Sequence, residues 1–201
     1  MIEAKDLCFS YGKKPVIGNF SVRIKKGELT ALMGASGSGK TTLLRLFAGL
    51  EKPQSGELTV RTGKVVTVFQ EPRLFPWLTV EKNLEAVLPP KAEKTERQNA
   101  IAEALAFVGL SDSANKKPTE LSGGMRSRAS LARALAYGAA TGAELYLLDE
   151  PFSALDESGR EELSAALRER MRKYGATAIL VTHNTADAER FADRIIKIEE
   201  K

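Results

Sequence analysis

The chain has 201 residues, with 30 basic side chains against 26 acidic ones, a single histidine and a single cysteine. That length suits one domain able to bury its own core, and 43% hydrophobic against 28% charged residues argues against disorder. A lone Cys8 excludes an intrachain disulfide and a Cys/His zinc cluster; no apolar run nears the roughly 20 residues of a membrane span, and the start MIEAKDLCFS lacks the pattern of a secretory signal.

From the N-terminus, a loose alternation of Ile2, Ala4, Leu7 and Phe9, then Val16, Phe20, Val22 and Ile24, reads as short strands. The apolar run Glu28 to Met33 stops at Gly34. After a glycine-rich loop, Thr41 to Leu50 reads as a helix with Leu43, Leu44, Phe47 and Leu50 on one stripe, closed by Gly49. Leu58 to Gln70 returns to strand, with Gly63 and Lys64 as its turn. Pro72, Pro76, Pro89 and Pro90 punctuate the next stretch. A helix is then predicted from about Thr95, with Thr95 and Gln98 as a capping box, Ile101, Leu105 and Val108 on its apolar face, and a stop at Gly109. The next helix is predicted from Ser122, itself a suitable N-cap, to about Tyr137, closed by Gly138. Another begins near Glu157, with Leu163, Leu167, Met171 and Tyr174 on one side and Gly175 at its end. Leu145 to Leu148, Thr177 to Thr182 and Arg194 to Ile198 read as strands.

Strands alternating with helices predict an α/β fold with a parallel sheet. The largely helical middle predicts an insert: residues 1–70 and 138–201 form the α/β core, and residues 71–137 an inserted helical subdomain. The net charge of +4 is scattered. Its densest stretch, Arg126 to Arg133, is read as a solvated helix face with anion contacts rather than a nucleic-acid stripe, so no nucleic-acid partner is expected. The chain is expected to be soluble and cytosolic.

Two motifs carry chemistry. Gly34-Ala35-Ser36-Gly37-Ser38-Gly39-Lys40-Thr41-Thr42 fits G-x-x-x-x-G-K-[ST] between a strand and a helix. Glycines there let successive N–H groups converge on phosphate oxygens, and the helix directs its positive dipole end at them. Lys40 reaches the β- and γ-phosphates, and Thr41 offers its hydroxyl to Mg²⁺. Downstream, the apolar strand Leu145 to Leu148 ends in Asp149 and Glu150. Asp149 is placed to stand beside the Mg²⁺, and Glu150 beside an attacking water. A nucleoside triphosphate site is expected.

At Leu121-Ser122-Gly123-Gly124-Met125 the chain resembles the nucleotide-binding subunits of ABC transporters, whose signature is LSGGQ. The resemblance runs through almost the whole chain in family order. Tyr11 stands where the family's adenine-stacking aromatic sits and Gln70 where its Mg²⁺-contacting Q-loop glutamine sits. Ser153-Ala154-Leu155-Asp156 matches the D-loop, and His183 the switch histidine that holds the γ-phosphate. The resemblance implies a P-loop NTPase with a RecA-like parallel-sheet core, a small N-terminal antiparallel β part and the inserted helical subdomain.

It further implies an ATPase whose site is shared. Ser122 and the Gly123 and Gly124 amides of one subunit would meet the γ-phosphate of ATP held by the Gly34–Thr42 loop of a second copy. The dimer would close around two ATP molecules with Mg²⁺, and would power a separate integral membrane permease from the cytoplasmic face, with an external solute-binding protein involved indirectly. The stretch Val68 to Val80 (VFQEPRLFPWLTV) and Met125-Arg126 are similar to importers of the nitrate, sulfonate and taurine group, although Ser127 and Ala129 depart from that group's pattern. Two readings of Trp77 stand side by side: part of a socket for a permease helix, or a residue packed on its own subdomain. The chain ends at Lys201, so no C-terminal sensor domain is expected, and the short interval from Lys40 to Gln70 implies a trimmed antiparallel sheet. An exporter or lipoprotein-release subunit shares every catalytic motif and remains an alternative, as more remotely does a soluble ATPase acting on nucleic acid or ribosomes.

Overall fold

The computed structural model describes residues 1–198. Two sheets organise it. Strands β1 (Ile2–Tyr11), β2 (Lys14–Ile24) and β4 (Ser55–Val60) form an antiparallel sheet in the order β2-β1-β4. Strands β3 (Leu29–Met33), β5 (Val65–Val68), β6 (Leu145–Asp149), β7 (Thr177–Thr182) and β8 (Arg194–Lys197) form a parallel sheet in the order β5-β6-β7-β3-β8. The stretch predicted as strand from Leu58 to Gln70 is therefore shared between sheets, its first half going to β4 and its second to β5.

The parallel sheet is covered on both faces, which is why β6 and β7 are uninterrupted apolar runs rather than alternating ones. Their side chains still alternate between two cores. Leu145, Leu147, Ile179 and Val181 join the antiparallel sheet and α1 (Lys40–Phe47), with Leu43, Leu44, Leu46 and Phe47. Tyr146, Leu148, Ala178 and Leu180 face the other way, among α3 (Lys94–Phe107), α4 (Gly123–Thr141), α5 (Glu157–Lys173) and α6 (Thr185–Phe191). A short α2 (Val80–Glu85) packs against α4 in the same core. Neither α2 nor α6 was legible as a helix, each being too short to show a 3.6-residue period.

Several local expectations are corrected. Leu50 lies beyond the end of α1 and is 59% exposed; Leu46 takes its place in the core. The Thr95–Gln98 capping box does not form, because α3 begins one residue earlier with Glu93 at its N-cap and no side-chain cap. Tyr174 ends α5 with its ring exposed rather than on the apolar side. Gly138 does not stop α4, which runs on to a left-handed Gly142. It is instead a packing residue: a side chain there would collide with the Tyr146 hydroxyl.

The arginines of α4 also differ from expectation. Arg126 donates to the Leu121 carbonyl at 2.6 Å, Arg128 to Val108 O at 3.2 Å, and Arg133 to Arg73 O and Pro72 O at 3.0 and 3.3 Å. They satisfy backbone carbonyls of neighbouring loops, which a charge pattern along one helix cannot reveal. Among the described residues no helix is long and apolar enough to cross a membrane.

Candidate nucleotide site

Parallel pairing sets the site. Met33 at the end of β3 is in register with Thr182 at the end of β7, and Val181 with Asp149 at the end of β6. The next residues along each strand, Gly34, His183 and Glu150, therefore emerge together at the carboxyl edge of the sheet, where ligands of open α/β sheets bind. There Glu150 and His183 border a cavity of about 500 Å³ whose lining also includes Ser36, Gly37, Gly39, Lys40, Thr41, Thr42, Gln70 and Asp149.

The loop from Gly34 to Thr42 wraps the start of α1. Gly39, at the N-cap, has φ +92°, and a side chain there would also press within 2.6 Å of Ile17; only glycine serves both demands. Lys40 is buried, and its Nζ donates to the Gly34 and Ala35 carbonyls at 2.8 and 2.6 Å and to Ser38 Oγ at 3.4 Å. A buried ammonium needs such partners, and these are groups of the loop itself. Ser38 is buried beneath it, and Gly34 is confined between the Ile198 carbonyl and Ser38.

Asp149 is 3% exposed, and its Oδ1 has no hydrogen-bond partner. Burial pushes its carboxyl above the usual aspartate value; a hydrogen bond with Thr41 opposes this, neighbouring Glu150 adds to it, and Lys40 opposes it again. A buried acceptor without a donor, beside a threonine hydroxyl, fits a hard divalent cation such as Mg²⁺, which takes one or two carboxylates and leaves its other positions to phosphate and water.

Glu150 adopts φ +49°, a left-handed backbone uncommon for a residue with a side chain. Its N–H donates to Val181 O at 3.0 Å, and its carbonyl accepts from Ser153 N at 3.2 Å and Ser153 Oγ at 3.0 Å. These bonds hold the strained turn, and such strain is concentrated at functional sites. The turn delivers the Glu150 carboxylate to His183, with Oε1 2.8 Å from Nδ1. The histidine side chain is 68% exposed, while that of the glutamate is 12% exposed.

The remaining expected residues lie outside this cavity. Tyr11 packs edge-to-face on Phe9, with ring centroids 4.9 Å apart, and its hydroxyl accepts from Arg45 at 3.1 Å. Ser122 caps α4, accepting from Met125 N at 3.2 Å, and Asp156 caps α5, accepting from Gly159 N at 3.2 Å. The two signature glycines differ. A side chain on Gly124 would stand 2.8 Å from the Ala154 carbonyl, whereas one on Gly123 would meet nothing within 4 Å. Gly124 thus allows the signature helix to approach the 153–156 segment, and Gly123 faces open space.

On the helical side, Asn83 is fully buried and holds the proline-rich loop by bonding Phe75 N, Phe75 O, Leu78 O and Thr79 O at 2.7, 3.1, 3.2 and 2.9 Å. Trp77 stays 68% exposed, its ring 5.6 Å from that of Phe75. No sequence pattern singles out Asn83, whose partners lie four to eight positions away in an irregular loop, or Arg160 and Asp187, which meet from two different helices.

Comparison with known proteins identifies the family. Residues 17–153 match the ABC transporter family. The chain is 41% identical over 201 residues to the sulfate/thiosulfate import ATP-binding protein CysA 2 of Chromobacterium violaceum, covering 94% of this chain and 54% of that protein. It is 42% identical over 204 residues to the aliphatic sulfonates import ATP-binding protein SsuB of Albidiferax ferrireducens, covering 98% and 70%. It therefore spans 54% and 70% of the length of these two curated relatives. The dimeric post-hydrolysis structure of the ATP-binding cassette MJ0796 bound to ADP and Pi superposes with a TM-score of 0.87 at 31% identity, covering 100% of this chain and 97% of that one. The family match, the sequence identity and the fold agree, and the chain belongs to the ABC transporter family.

Proposed function

We propose that this chain binds and hydrolyses ATP as the motor subunit of an importer of small sulfur-containing anions of the sulfonate and sulfate class. The observation that carries the reading is the convergence of Lys40, Thr41, Asp149, Glu150 and His183 on one cavity at the carboxyl edge of the sheet. The importer direction and the solute class are supported by the names of the relatives and by the Val68 to Val80 stretch.

Phosphoryl transfer needs positioning and charge stabilisation more than covalent chemistry from the protein. In this reading the loop amides and the α1 N-terminus cradle the phosphates, and Lys40 exchanges the Gly34 and Ala35 carbonyls for phosphate oxygens. Thr41, Gln70 and Asp149, whose Oδ1 is unpartnered, would hold Mg²⁺. When bound, the cation neutralises charge on the β- and γ-phosphates. Glu150 orients and polarises the attacking water, while His183, fixed by Glu150, holds the γ-phosphate. Tyr11 stacks on the adenine.

Ser122, Gly123, Gly124 and Asp156 serve a second copy's ATP. Ser122 Oγ is exposed at the N-terminus of a 19-residue helix, and Gly123 faces open space, a setting suited to a γ-phosphate. Residues 71–137 act as the arm that presents this signature and, through the exposed Trp77, meets an integral membrane permease on the cytoplasmic face of the membrane. An external solute-binding protein supplies the solute.

The test is recovery of tagged Glu150→Gln protein from native membranes solubilised with ATP. A multi-span permease with a sulfonate- or sulfate-binding protein is expected. Recovery only from the soluble fraction, with ribosomes or nucleic acid attached, overturns the transport reading.

A further inference from the structure

Behind the His183–Glu150 pair, α5 and α6 are joined by alternating charges. Arg160 and Glu161 come from the early turns of α5, and Asp187 and Arg190 from α6. Arg160 Nε stands 3.8 Å from Asp187 Oδ2, Arg190 Nη1 3.9 Å from Asp187 Oδ1, and Arg190 also pairs with Glu161. Asp187 differs from the others in being 3% exposed. Its Oδ1 and Arg160 Nε are buried without a hydrogen bond, so the carboxylate is held by charge at distances beyond hydrogen-bond reach. A buried carboxylate is costly, and this one is not the cap of α6, a role filled by Asn184, which accepts from Asp187 N at 3.1 Å.

Both ends of this pair lead to the site. Asp187, in the first turn of α6, lies four residues after His183, and its main chain is tied to Asn184, the residue following that histidine. Arg160 Nη2 donates to the Leu155 carbonyl at 3.3 Å, within the 153–156 segment whose Ala154 carbonyl Gly124 approaches. Burial raises the Asp187 carboxyl, and Arg160 and Arg190 counter it.

We infer that Asp187, ion-paired to Arg160, is a positioning residue that couples the 153–156 segment to the orientation of His183 on Glu150. The inference rests on the ATPase reading above. A shift of the 153–156 segment, as on docking of a second copy, would move the Arg160 guanidinium, and with it α6 and the imidazole. The site would then reach its working geometry only when the segment is engaged.

The experiment uses Asp187→Asn, Arg160→Gln and the double variant Arg160→Met/Asp187→Leu. The readouts are ATPase kcat and KM, Tm, and the NMR nitrogen signals of the imidazole, which are unambiguous because His183 is the chain's only histidine. Misplacing a catalytic group by about 1 Å can cost about a hundredfold. Both single variants are accordingly expected to lose about ten- to a hundredfold in kcat with KM for ATP within about twofold, and to lose the Nδ1 hydrogen-bond signature. The apolar pair is expected to recover Tm without recovering kcat or the signature, since well-packed apolar replacements often match a buried ion pair in stability. Recovery of kcat by the double variant shows the pair to be only structural and overturns the inference. The single variants change charge in opposite senses, so opposite effects on the imidazole or on kcat mean a field effect, which also overturns it. If the wild-type chain hydrolyses no ATP, the functional reading fails, and the imidazole signals alone then decide the coupling: unchanged signals in both single variants overturn it.

Discussion

The strand-end half of the site and the signature half are built on opposite principles. At the strand ends the protein fills its own site: Lys40 rests on the loop's carbonyls, Thr41 on Asp149, and His183 on Glu150. At the signature, Ser122 and Gly123 present a hydroxyl and a bare backbone to open space. The first half is preorganised and needs only its ligand. The second has no ligand within its own chain, which is the physical reason to expect that turnover requires a second copy.

The largest expected effect separates the halves directly. Glu150→Gln keeps the loop and the signature but removes the carboxylate, so turnover is expected to fall by about a hundredfold or more while ATP binding persists. Light scattering with ATP is then expected to show an accumulated dimer, and a monomer at saturating ATP breaks the shared-site reading. Next come the two glycines. Gly124→Ala is expected to destabilise the fold by about 1–3 kcal/mol, because its methyl presses on the Ala154 carbonyl. Gly123→Ala is expected to leave Tm nearly unchanged yet weaken ATP-driven dimerisation by about tenfold, or about 1.4 kcal/mol. Equal losses of Tm in the two variants remove the distinction between a packing glycine and an interface glycine.

A smaller effect of opposite sign is expected at Asp149. Its carboxyl titrates above the ordinary value of 3.8 because it is buried. The folded protein therefore holds that proton more tightly than the unfolded chain, and its contribution to stability falls as pH rises from the ordinary range through the raised value. At a pH well above that raised value the cost is fully present, so Asp149→Asn without nucleotide is expected to be more stable there than the wild type by about 1 kcal/mol. The gain should shrink as pH is lowered toward 3.8, and Mg²⁺ with ATP should stabilise the wild type far more than the variant. Thermal melts across pH check both. The smallest effect on the fold is expected from Trp77→Ala: exposed as it is, its loss should change stability by less than about 0.5 kcal/mol while weakening permease recovery in a pull-down. A large drop in Tm instead identifies Trp77 as a packing residue.

What could be read from residues in order was read well where chemistry and spacing are local. The phosphate loop, the acidic end of the Leu145–Asp149 strand, and Ser122 as a helix cap are all written in contiguous segments, and the backbone realises each of them. Short uninterrupted apolar runs likewise mark the buried strands β6 and β7, and a 3.6-residue period marks the apolar faces of α1, α3 and α5. Reading failed where a residue's role is set by a distant neighbour. Gly138 suggests a helix stop although its clearance serves Tyr146, and Arg128 and Arg133 suggest a solvated face although their acceptors lie 20 and 60 positions away.

By itself, then, the sequence determined most of the longer elements, the family and the nucleotide-binding chemistry, because hydrophobic period, loop glycines and motif residues act over a few positions along the chain. Tertiary structure alone decided that Glu150 meets His183 at 2.8 Å, that Asp149 keeps one oxygen without a partner, and that Asp187 is buried between two arginines. Each of those depends on the register of β3, β6 and β7 or on the packing of α5 against α6, which brings together side chains separated by 27 to 33 positions.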